Sequence, residues 1–451
     1  MEALSFGGTA EAPKLSILEF AKRLDVAMSQ LDSWSFRDEA PNERVLRRFS
    51  KREVAELLGI NHKLLSYTAK SDSDCFPLGE RAGRELSYSP KDICLMRAVM
   101  GSKSHLKRSH IHWRRPGEPL SVITFGAQKG GIEKCLTATH FAQYLVLAYG
   151  LRVGVIDSDP QGTISRYFAD AQHDIQNGDA QSLVNFLGMD DSFGEVPVAR
   201  TDEQLNAVWQ QTSWPGVRLM AGGPNILSGD VNLYLMGQKM KTRVYCVLKD
   251  AIAQWDKAYP PKTHPADLRR SDSSFNLEAY QAALNETLDV IIIDQQSSIT
   301  PLHMNGLVAA STLVVPMSVQ GFDLKTLTSY ALTLTDILQY ISDVEPDLQV
   351  GQRGHVVLPI ISIGENDRDM FQIADLRENG GNIISKVWYN RSAASENAAA
   401  LNMSIYEYTA PEGLRVSAKK FMRNANAVSD YLVQRSLPYL PSRGFAEEFI
   451  E

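Results

Sequence analysis

The sequence predicts an α/β protein with a doubly wound, mostly parallel sheet flanked by helices, preceded by an all-α winged helix-turn-helix module. The first observation is the order strand, glycine loop, helix, strand that begins at Ser121, in SVITFGA, QKGGIEKC and RVGVIDSDPQG. The second is a pair of short capped helical segments in SKREVAELLGINHKLLSYTAK, residues 50–70. The third is charge: residues 44–115 contain 16 Lys and Arg against 7 Asp and Glu, whereas the whole chain of 451 residues has a net charge of −7. A basic module therefore precedes a larger acidic body.

Composition argues against several classes of protein. Hydrophobic residues make up 44% and charged residues 22% of the chain, which is the usage of a globular protein with a large core. No apolar run approaches the roughly 20 residues that a membrane helix needs, and the first residues have no secretory pattern, so we expect a cytoplasmic protein with no membrane partner. The four cysteines are far apart and form no CxxC pair, which argues against a zinc site, an iron-sulfur site and a disulfide framework.

Three segments are expected along the chain. Residues 1–42 contain an amphipathic stripe of Leu and Ala spaced three and four apart, typical of a helix that packs on its own domain or dimerises. Residues 43–118 are the expected helix-turn-helix domain, and residues 119–451 are the expected α/β domain. The boundary is placed in HWRRPGEPL, residues 112–120, because two prolines and a glycine interrupt the helical pattern there. We expect the segment before this boundary to fold separately.

Caps, a glycine and apolar spacing predict the helix-turn-helix. Ser50 and Glu53 can form a capping box for a first helix that stops at Gly59, where the turn needs a positive φ. Leu58 and Leu65 would fill the wedge between two helices that cross at a steep angle. An ordinary αα-hairpin is the alternative, and the basic charge of the segment favours the DNA-binding motif over it.

The second helix of this motif, from His62 to Lys70, is expected to enter the major groove of DNA. Its side chains that would face the operator bases are His62, Lys63, Ser66 and Tyr67. The following segment, GRELSYSPKDICLMRAVM, predicts a short wing and then a helix capped at Ser89 with Pro90 at its first position. Charge by itself leaves a solvated basic face without a partner as the alternative.

The glycine loop has the composition of a phosphate-binding site. Such loops need glycines so that backbone N–H groups can converge on phosphate oxygens at a helix N-terminus, with a lysine nearby. Lys129, Gly130, Gly131 and Lys134 supply this pattern between a strand and a helix. Solvated surface charge is the alternative explanation of the two lysines.

These residues resemble a known family. KGGIEK resembles the deviant Walker A pattern KGGxxK[ST] of the ParA/MinD group of ATPases, IDSDPQG (156–162) resembles their switch segment, and DVIIID (289–294) resembles their Walker B strand. Segments 305–327 and 390–408 are similar to the later core strand and the nucleotide-base pocket of the group. The residues before the loop are similar to those of larger plasmid partition proteins, ParA of the long type and RepA of replication-partition operons. The resemblance implies a ParA-like P-loop fold for residues 119–451.

The resemblance also implies a site for ATP or ADP with Mg²⁺. Its nucleotide-binding residues would be those of the loop: Lys129, Gly130, Gly131, Ile132, Glu133, Lys134 and Cys135. By the family pattern, Lys134 contacts the β- and γ-phosphates, and Lys129 reaches the nucleotide across a sandwich dimer. Asp157 and Asp294 would hold Mg²⁺ or its waters, and Asp159 would orient the attacking water. Capping of the following turn is the alternative role of Asp159.

Departures from the family pattern weaken the implied metal site. Cys135 replaces the Ser or Thr whose hydroxyl helps hold Mg²⁺, and a thiol is a poor ligand for a hard cation. Leu136 replaces a Thr that reaches phosphate, and Glu133 puts a carboxylate beside the triphosphate unless it turns outward. After Asp294, the family's Thr-Pro-Pro becomes QQS, residues 295–297. We therefore expect ATP binding with a weakened dependence on Mg²⁺.

Two functions remain open from the sequence. In the first, a dimeric DNA-binding ATPase partitions a plasmid or similar replicon: ATP closes the dimer and favours nonspecific binding to nucleoid DNA, and a centromere-bound ParB-type partner stimulates slow hydrolysis to ADP. Its helix-turn-helix would repress its own operon. The second is a pseudoenzyme, a DNA-binding repressor or scaffold with weak or absent nucleotide binding, and Cys135 is the feature that separates the two. A nitrogenase-type iron-sulfur reductase is disfavoured because suitably placed cysteines are lacking.

The last long helix is the predicted site of nonspecific DNA binding. It begins at Arg415 in RVSAKKFMRNANAVSDYLV, and Val416, Phe421 and Val428 would pack inward. Four cations stand near its start: Arg415, Lys419, Lys420 and Arg423. Because the rest of the body is acidic, we expect random DNA to bind this cluster, separately from the operator-binding surface. A solvated helix face is the alternative.

Overall fold

The computed structural model describes residues 16, 19, 22, 23, 26, 44–71, 75–82, 85–103, 110–131, 133–169, 182–189, 198–240, 243–319, 321–346, 348, 350, 351, 353–361 and 367–450, with the backbone alone for 239, 240, 321 and 322. Within residues 1–42, Glu19, Lys22, Arg23 and Val26 have helical backbone. The rest of the predicted N-terminal helix lies outside the described residues, so its role in dimerisation stays a prediction. Val45–Ala169 and His173–Glu451 form one compact unit.

The basic module has its helices and strands in the order expected for a winged helix-turn-helix. Its elements are β1 Phe49–Ser50, α1 Lys51–Leu58, α2 His62–Ser71, β2 Glu80–Ala82, β3 Glu85–Tyr88 and α3 Pro90–Gly101. The strands form a small antiparallel sheet in the order β1, β3, β2. The module is therefore not all-α as predicted. The strands are favoured because Phe49 and Tyr88, which pair across the sheet, both bury their rings in the core of the module.

The predicted caps of the module are confirmed. Ser50 accepts a hydrogen bond from the Glu53 N–H, and the Glu53 carboxylate accepts one from the Ser50 N–H at 2.8 Å. Gly59 ends α1 with a φ of 66°, which a residue with a side chain adopts only at a cost. Leu65 is buried in the wedge between the two helices, and α3 begins at Pro90.

An eight-stranded sheet forms the centre of the α/β domain. Its spatial order is β11-β10-β9-β4-β8-β5-β7-β6, and the neighbouring pairs are parallel except β6 with β7. The predicted doubly wound, mostly parallel sheet is confirmed. The strands are β4 Ser121–Phe125, β5 Val153–Ser158, β6 Gln210–Gln211, β7 Val217–Met220, β8 Val290–Gln295, β9 Thr312–Ser318, β10 Val356–Ile361 and β11 Tyr389–Asn390.

Helices flank this sheet. The first is α4, Lys134–Tyr149, which is apolar on all sides and buried along nearly its whole length because it also contacts α1, α3 and α14. No helix among the described residues is long and apolar enough to cross a membrane. The other helices are α5 Leu183–Phe186, α6 Asp202–Ala207, α7 Ile226–Met240, α8 Val247–Ala258, α9 Leu277–Glu286, α10 Pro301–Ala309, α11 Gly321–Val344, α12 Asp367–Gly380, α13 Ala393–Ala400, α14 Arg415–Ser436 and α15 Phe445–Ile450.

The segment expected to be a linker is part of the core. Trp113 is buried, donates a hydrogen bond from Nε1 to the Gly150 carbonyl at 2.8 Å and stacks on Tyr280. Arg114 is paired with Asp256 at 2.5 Å. Because these contacts lead into the α/β domain, residues 112–115 attach the basic module to it and do not separate the two.

A buried arginine ties the module to the sheet domain as well. Arg97 of α3 donates hydrogen bonds to the carbonyl of Leu57 at the end of α1 and to the carbonyl of Leu147 near the end of α4, at 2.5 and 2.6 Å. One hydrophobic core includes residues of both segments. The basic module therefore shares its core with the α/β domain and does not form the separate fold that we expected. The division of the chain into functional segments at residues 42 and 118 remains a proposal.

Candidate nucleotide site

Three neighbouring strands end at the glycine loop. β4 leads through residues 126–133 into α4, β8 lies next to β4 in the sheet, and β5 lies next to β8. Asp157 on β5 and Asp294 on β8 are directly opposite each other in the parallel register. Since the carboxyl ends of parallel strands meet at one edge of a sheet, the loop and both aspartates lie where α/β folds commonly bind ligands. The fold therefore brings together the loop and the two acidic strand ends that the sequence singled out.

The loop leaves room for a phosphate group. Residues 128–131 are exposed, and Gly131 has a φ of 72° with open space where a side chain would stand. Glu133, the residue before α4, makes no side-chain hydrogen bond to the helix start. The first N–H groups of α4 are thus not capped by the residue that usually caps them, which suits an anion. Ile132, the remaining loop residue of the prediction, lies outside the described residues.

Lys134 forms a buried ion pair at the base of the loop. Its Nζ lies 2.5 Å from Oδ1 of Asp294, with 5% of the lysine and none of the aspartate side chain exposed. Burial by itself lowers the pKa of Lys134, but Asp294 and other neighbours outweigh burial, and the net shift is upward. Burial raises the pKa of Asp294 although Lys134 opposes the shift. Oδ2 of Asp294 has no hydrogen-bond partner among the described residues, so an acceptor oxygen remains for a metal ion or its water.

Asp157 is a second buried carboxylate at this edge of the sheet. It accepts hydrogen bonds from the backbone N–H and hydroxyl of Ser165, at 3.0 and 2.6 Å, and from the Asp159 N–H at 3.0 Å. Burial and the neighbouring Asp294 raise the pKa of Asp157 to about 7. Two adjacent carboxylates fit Mg²⁺, which prefers oxygen ligands. Among the described residues no group of three or more His, Cys, Asp or Glu side chains is arranged to hold a metal ion, so phosphate and water would have to complete the coordination.

Cys135 faces this pair of aspartates. Burial and the charge of Asp294 raise the pKa of Cys135 well above its usual value. The thiol is therefore neutral, and the ammonium group of Lys134 lies 3.7 Å from its sulfur. A neutral thiol is a poor ligand for Mg²⁺. The two aspartates are therefore suitable ligands for Mg²⁺, whereas Cys135, which follows Lys134, is not.

Glu133 is neutralised inside the protein. Its Oε1 lies 3.1 Å from Nε of Arg391, which also donates a hydrogen bond from Nη2 to the Gly131 carbonyl at 2.8 Å. Burial raises the pKa of Glu133 to about 7 although Arg391 opposes the shift. Arg391 follows β11, in the segment that resembles a nucleotide-base pocket. One arginine thus holds both the carboxylate and the backbone of the loop, so the carboxylate does not stand unpaired beside the phosphate site.

Lys129 is also paired within its own chain. Its ammonium group forms an ion pair with Asp323 near the start of α11, and Asp323 is almost fully buried. The lysine side chain itself is 45% exposed. A role across a dimer would therefore require Lys129 to exchange Asp323 for the nucleotide of the partner chain.

Comparison with known proteins places this loop and sheet in a family. The sequence profile described as CobQ/CobB/MinD/ParA nucleotide binding domain matches residues 123–430. The chain belongs to this family. It is 25% identical over 416 residues, 91% of each chain, to a Sinorhizobium fredii (strain NBRC 101917 / NGR234) protein provisionally named replication protein A. It is also 25% identical over 322 residues to Protein SopA of Escherichia coli (strain K12), covering 70% of this chain and 71% of SopA.

A solved structure of a partition protein has the same fold as this ParA-family chain. The two align with a TM-score of 0.53 at 16% identity, over 85% of this chain and 94% of the other. The resemblance drawn from the three motifs is thereby confirmed. The family match begins within β4, so residues 44–122 lie outside it, whereas the similarity to the Sinorhizobium protein extends over 91% of the chain.

The other predicted residues of the ParA-family site contact the protein itself. Asp159 accepts a hydrogen bond from the Gln161 N–H at 2.9 Å and so caps the turn, which is the alternative that the sequence left open. Gln295 donates to the His303 carbonyl at 2.6 Å. Gln296 donates to Thr300 at 2.7 Å. The two glutamines after Asp294 thus stabilise the start of α10. A catalytic role of Asp159 remains a proposal.

The structure exposes the predicted DNA-binding side chains. On α2, Ser66 is partly exposed and accepts a hydrogen bond from Lys51. Phe421 and Val428 of α14 are buried as predicted, but Val416 is 83% exposed because the first turn of α14 extends beyond the core. The exposed members of the two predicted surfaces are His62, Lys63, Tyr67, Arg415, Lys419, Lys420 and Arg423.

Sequence reasoning missed Arg391 and Asp323. Both lie in segments that resemble the family, yet they are 260 residues from Gly131 and 194 residues from Lys129, respectively. The available signal was indirect: each follows a sheet strand at the edge where the loop lies. Which of these strand ends has a side chain that reaches the loop depends on the fold, and the order of the strands is not readable from sequence spacing.

Proposed function

We propose that this ParA-family chain is a partition protein that binds ATP, dimerises, binds DNA nonspecifically to segregate a replicon, and represses its own operon through its helix-turn-helix. What supports the proposal is one combination: an open glycine loop above two buried aspartates, in the same compact unit as a winged helix-turn-helix with an exposed basic second helix. The relatives that are partition proteins support the same function.

The residues of the loop would act as follows. The N–H groups of the loop and of the start of α4 bind phosphate oxygens, and Lys134 turns from Asp294 to the phosphates. Asp157 and Asp294 would hold Mg²⁺ or its waters, and the ion would supply positive charge against the triphosphate. Asp159 orients the attacking water from the turn that follows β5. Because Cys135 is a neutral thiol, the dependence on Mg²⁺ is weak and hydrolysis to ADP is slow.

The dimer and its partners follow from the same residues. Lys129 leaves Asp323 and reaches the nucleotide of a second copy, which closes a sandwich dimer. The closed dimer binds DNA of the nucleoid in the cytoplasm, and a ParB-type protein bound at a centromere-like site stimulates hydrolysis and release. The second helix of the basic module, α2, binds the operator.

Isothermal titration of the full chain with ATP, with and without Mg²⁺, tests this function. We expect binding in both conditions, and phosphate release that is slow in the wild type and absent in Lys134→Ala and Asp159→Ala. Lys386→Ala is the matched control, because Lys386 is an exposed lysine outside the site. Absence of ATP binding by the wild type and by Cys135→Thr would overturn the proposal. Phosphate release that persists unchanged in both site variants would show that the catalytic assignment is wrong.

A pseudoenzyme is the second candidate, and one observation favours it. Each of the three cations around the loop is already neutralised by a carboxylate of the same chain: Lys129 by Asp323, Lys134 by Asp294 and Arg391 by Glu133. Operator binding that is intact in the wild type and unaffected by ATP, with no phosphate release above background, would select this function over the ATPase.

A further inference from the structure

A groove separates the helix-turn-helix from the last long helix. Its volume is about 530 Å³. One wall is α1 with Arg52 and Glu56, and the other is the start of α14 with Arg415, Lys419 and Arg423. Both walls belong to one compact unit, so their separation is set by the fold. Cations of the predicted nonspecific DNA-binding cluster therefore face the first helix of the helix-turn-helix across a single cleft.

The acidic groups on the α1 wall are neutralised. Glu53 forms an ion pair with Arg47, and Glu56 forms one with Arg52 at 3.0 Å. Arg47 is held further by a contact of its guanidinium group with the ring of Phe49. This wall therefore has carboxylates and guanidinium groups in equal number, and it contributes little net charge to the groove.

The α14 wall has cations without counterions. Arg415, Lys419 and Arg423 are exposed, and no residue in the part of the chain that the structure describes forms an ion pair with them. Glu85, on β3 at the mouth of the groove, is likewise unpaired among the described residues. Three free positive charges against one free negative charge favour a polyanion as the occupant.

The helix that forms one wall of the groove, α1, also contacts the predicted recognition helix. Lys51, which precedes Arg52 on α1, donates a hydrogen bond to Ser66 of α2. In helix-turn-helix complexes the second helix enters the major groove while the first crosses the phosphate backbone. A duplex held by α2 would therefore extend its backbone across α1, which forms one wall of the groove and faces the cations of α14 on the other.

We infer that α2 and the start of α14 are two parts of one surface for duplex DNA, joined across this groove, so that operator DNA and random DNA compete for it. The α14 cations would contact phosphates and leave base recognition to α2. The inference rests on the proposed function, and it replaces the expectation that the two kinds of DNA use separate surfaces. Bound operator DNA would thus exclude random DNA, and bound random DNA would exclude the operator.

The first experiment measures binding of the full chain, with ATP, to two labelled duplexes between 50 and 200 mM salt. One duplex contains the sequence upstream of the protein's own coding region, and the other has a random sequence. The variant is Arg415→Ala, Lys419→Ala and Arg423→Ala together. The control replaces Arg368, Arg377 and Lys386, which are exposed, outside the groove and equal in charge.

The expected effect follows from counterion release. Each lost phosphate contact lowers the slope of log K against log salt by about 0.9, so the affinity ratio between 50 and 200 mM shrinks about 3.5-fold for one contact and about 40-fold for three. We expect this change with both duplexes for the groove variant and with neither for the control. A lower slope with the random duplex alone, or an unchanged slope with both duplexes, overturns the inference.

Two further measurements do not depend on the stability of the triple variant. Lys419→Ala should lower the slope by about one unit, whereas Lys386→Ala, a substitution of an exposed lysine outside the groove, should leave it unchanged. On the wild type, unlabelled random duplex should displace labelled upstream duplex in proportion to its concentration. A ternary complex with both duplexes would overturn the inference and leave the proposed function intact, whereas a wild type that binds neither duplex would overturn both.

Discussion

Replacement of Lys134 by methionine tests the buried ion pair beneath the loop. The change removes the ammonium group that lies 2.5 Å from Asp294 and leaves that carboxylate unpaired, directly opposite Asp157 in the sheet register. Removing one partner of a buried pair costs about 3 to 5 kcal/mol, because the remaining charge keeps its cost of burial. We expect about 4 kcal/mol here, since both side chains are almost fully buried.

This energy corresponds to a measurable shift in melting temperature. An unfolding entropy of about 2.1 cal/mol/K per residue gives roughly 0.8 kcal/mol/K for a compact unit of about 400 residues, so the melting temperature should fall by about 5 °C. Adding Asp294→Asn to Lys134→Met removes the unpaired charge, and the double variant should recover more than half of the loss. ATP at 100 times its Kd should add about 2.7 kcal/mol to the wild type and nothing to Lys134→Met.

Urea unfolding followed by tryptophan fluorescence, together with calorimetry, measures these differences. Lys386→Met provides the control, because a substitution of an exposed lysine should change stability by less than about 0.5 kcal/mol. A cost below about 1 kcal/mol for Lys134→Met, or a double variant whose cost equals the sum of the two single costs, would refute the assignment of a buried, coupled pair.

Other predictions concern the metal, the operator and pH. Cys135→Thr should strengthen ATP binding in Mg²⁺ but not in EDTA, as measured by titration, because a hydroxyl is a ligand that Mg²⁺ accepts; equal affinity in both conditions would contradict this. Replacing His62 and Tyr67 with alanine should abolish the preference for upstream over random duplex, and an unchanged ratio would exclude α2 as the recognition helix. Burial lowers the pKa of His140 to about 3, so the folded protein keeps this imidazole neutral at pH values where the unfolded chain protonates it. The free energy of unfolding should therefore not depend on His140 above pH 6.5, and it should fall by about 1.4 kcal/mol per pH unit as the pH falls from 6.5 towards 3. His140→Gln should remove that part of the slope in unfolding at pH 7 and pH 5.

Local features of this chain were predictable because neighbouring residues produce them. The capping box of Ser50 and Glu53, the positive φ of Gly59 and the strand-loop-helix around Gly131 each depend on a few consecutive residues. The position of Asp294 near the loop was predictable too, because the ends of parallel strands meet at one edge.

Pairing across the chain was not predictable from spacing. Glu133 looked like an unpaired charge until the fold brought Arg391 to it, and Lys129 looked free until α11 brought Asp323. The position of each partner depends on the order of strands in the sheet, which residues far apart in the sequence determine together. The pairing of β1 with the wing and the buried position of Trp113 were missed for the same reason.

The sequence by itself determined the family, the glycine loop and the sum of the charges. Only the tertiary structure decided which charges remain free: those around the loop are paired within the chain, and those at the start of α14 form no ion pair with any residue that the structure describes. The physical reason is that net charge adds along a chain whatever its fold, whereas the interaction of two charges depends on their distance and on the water around them. Both of these depend on the packing of segments that are distant in the sequence.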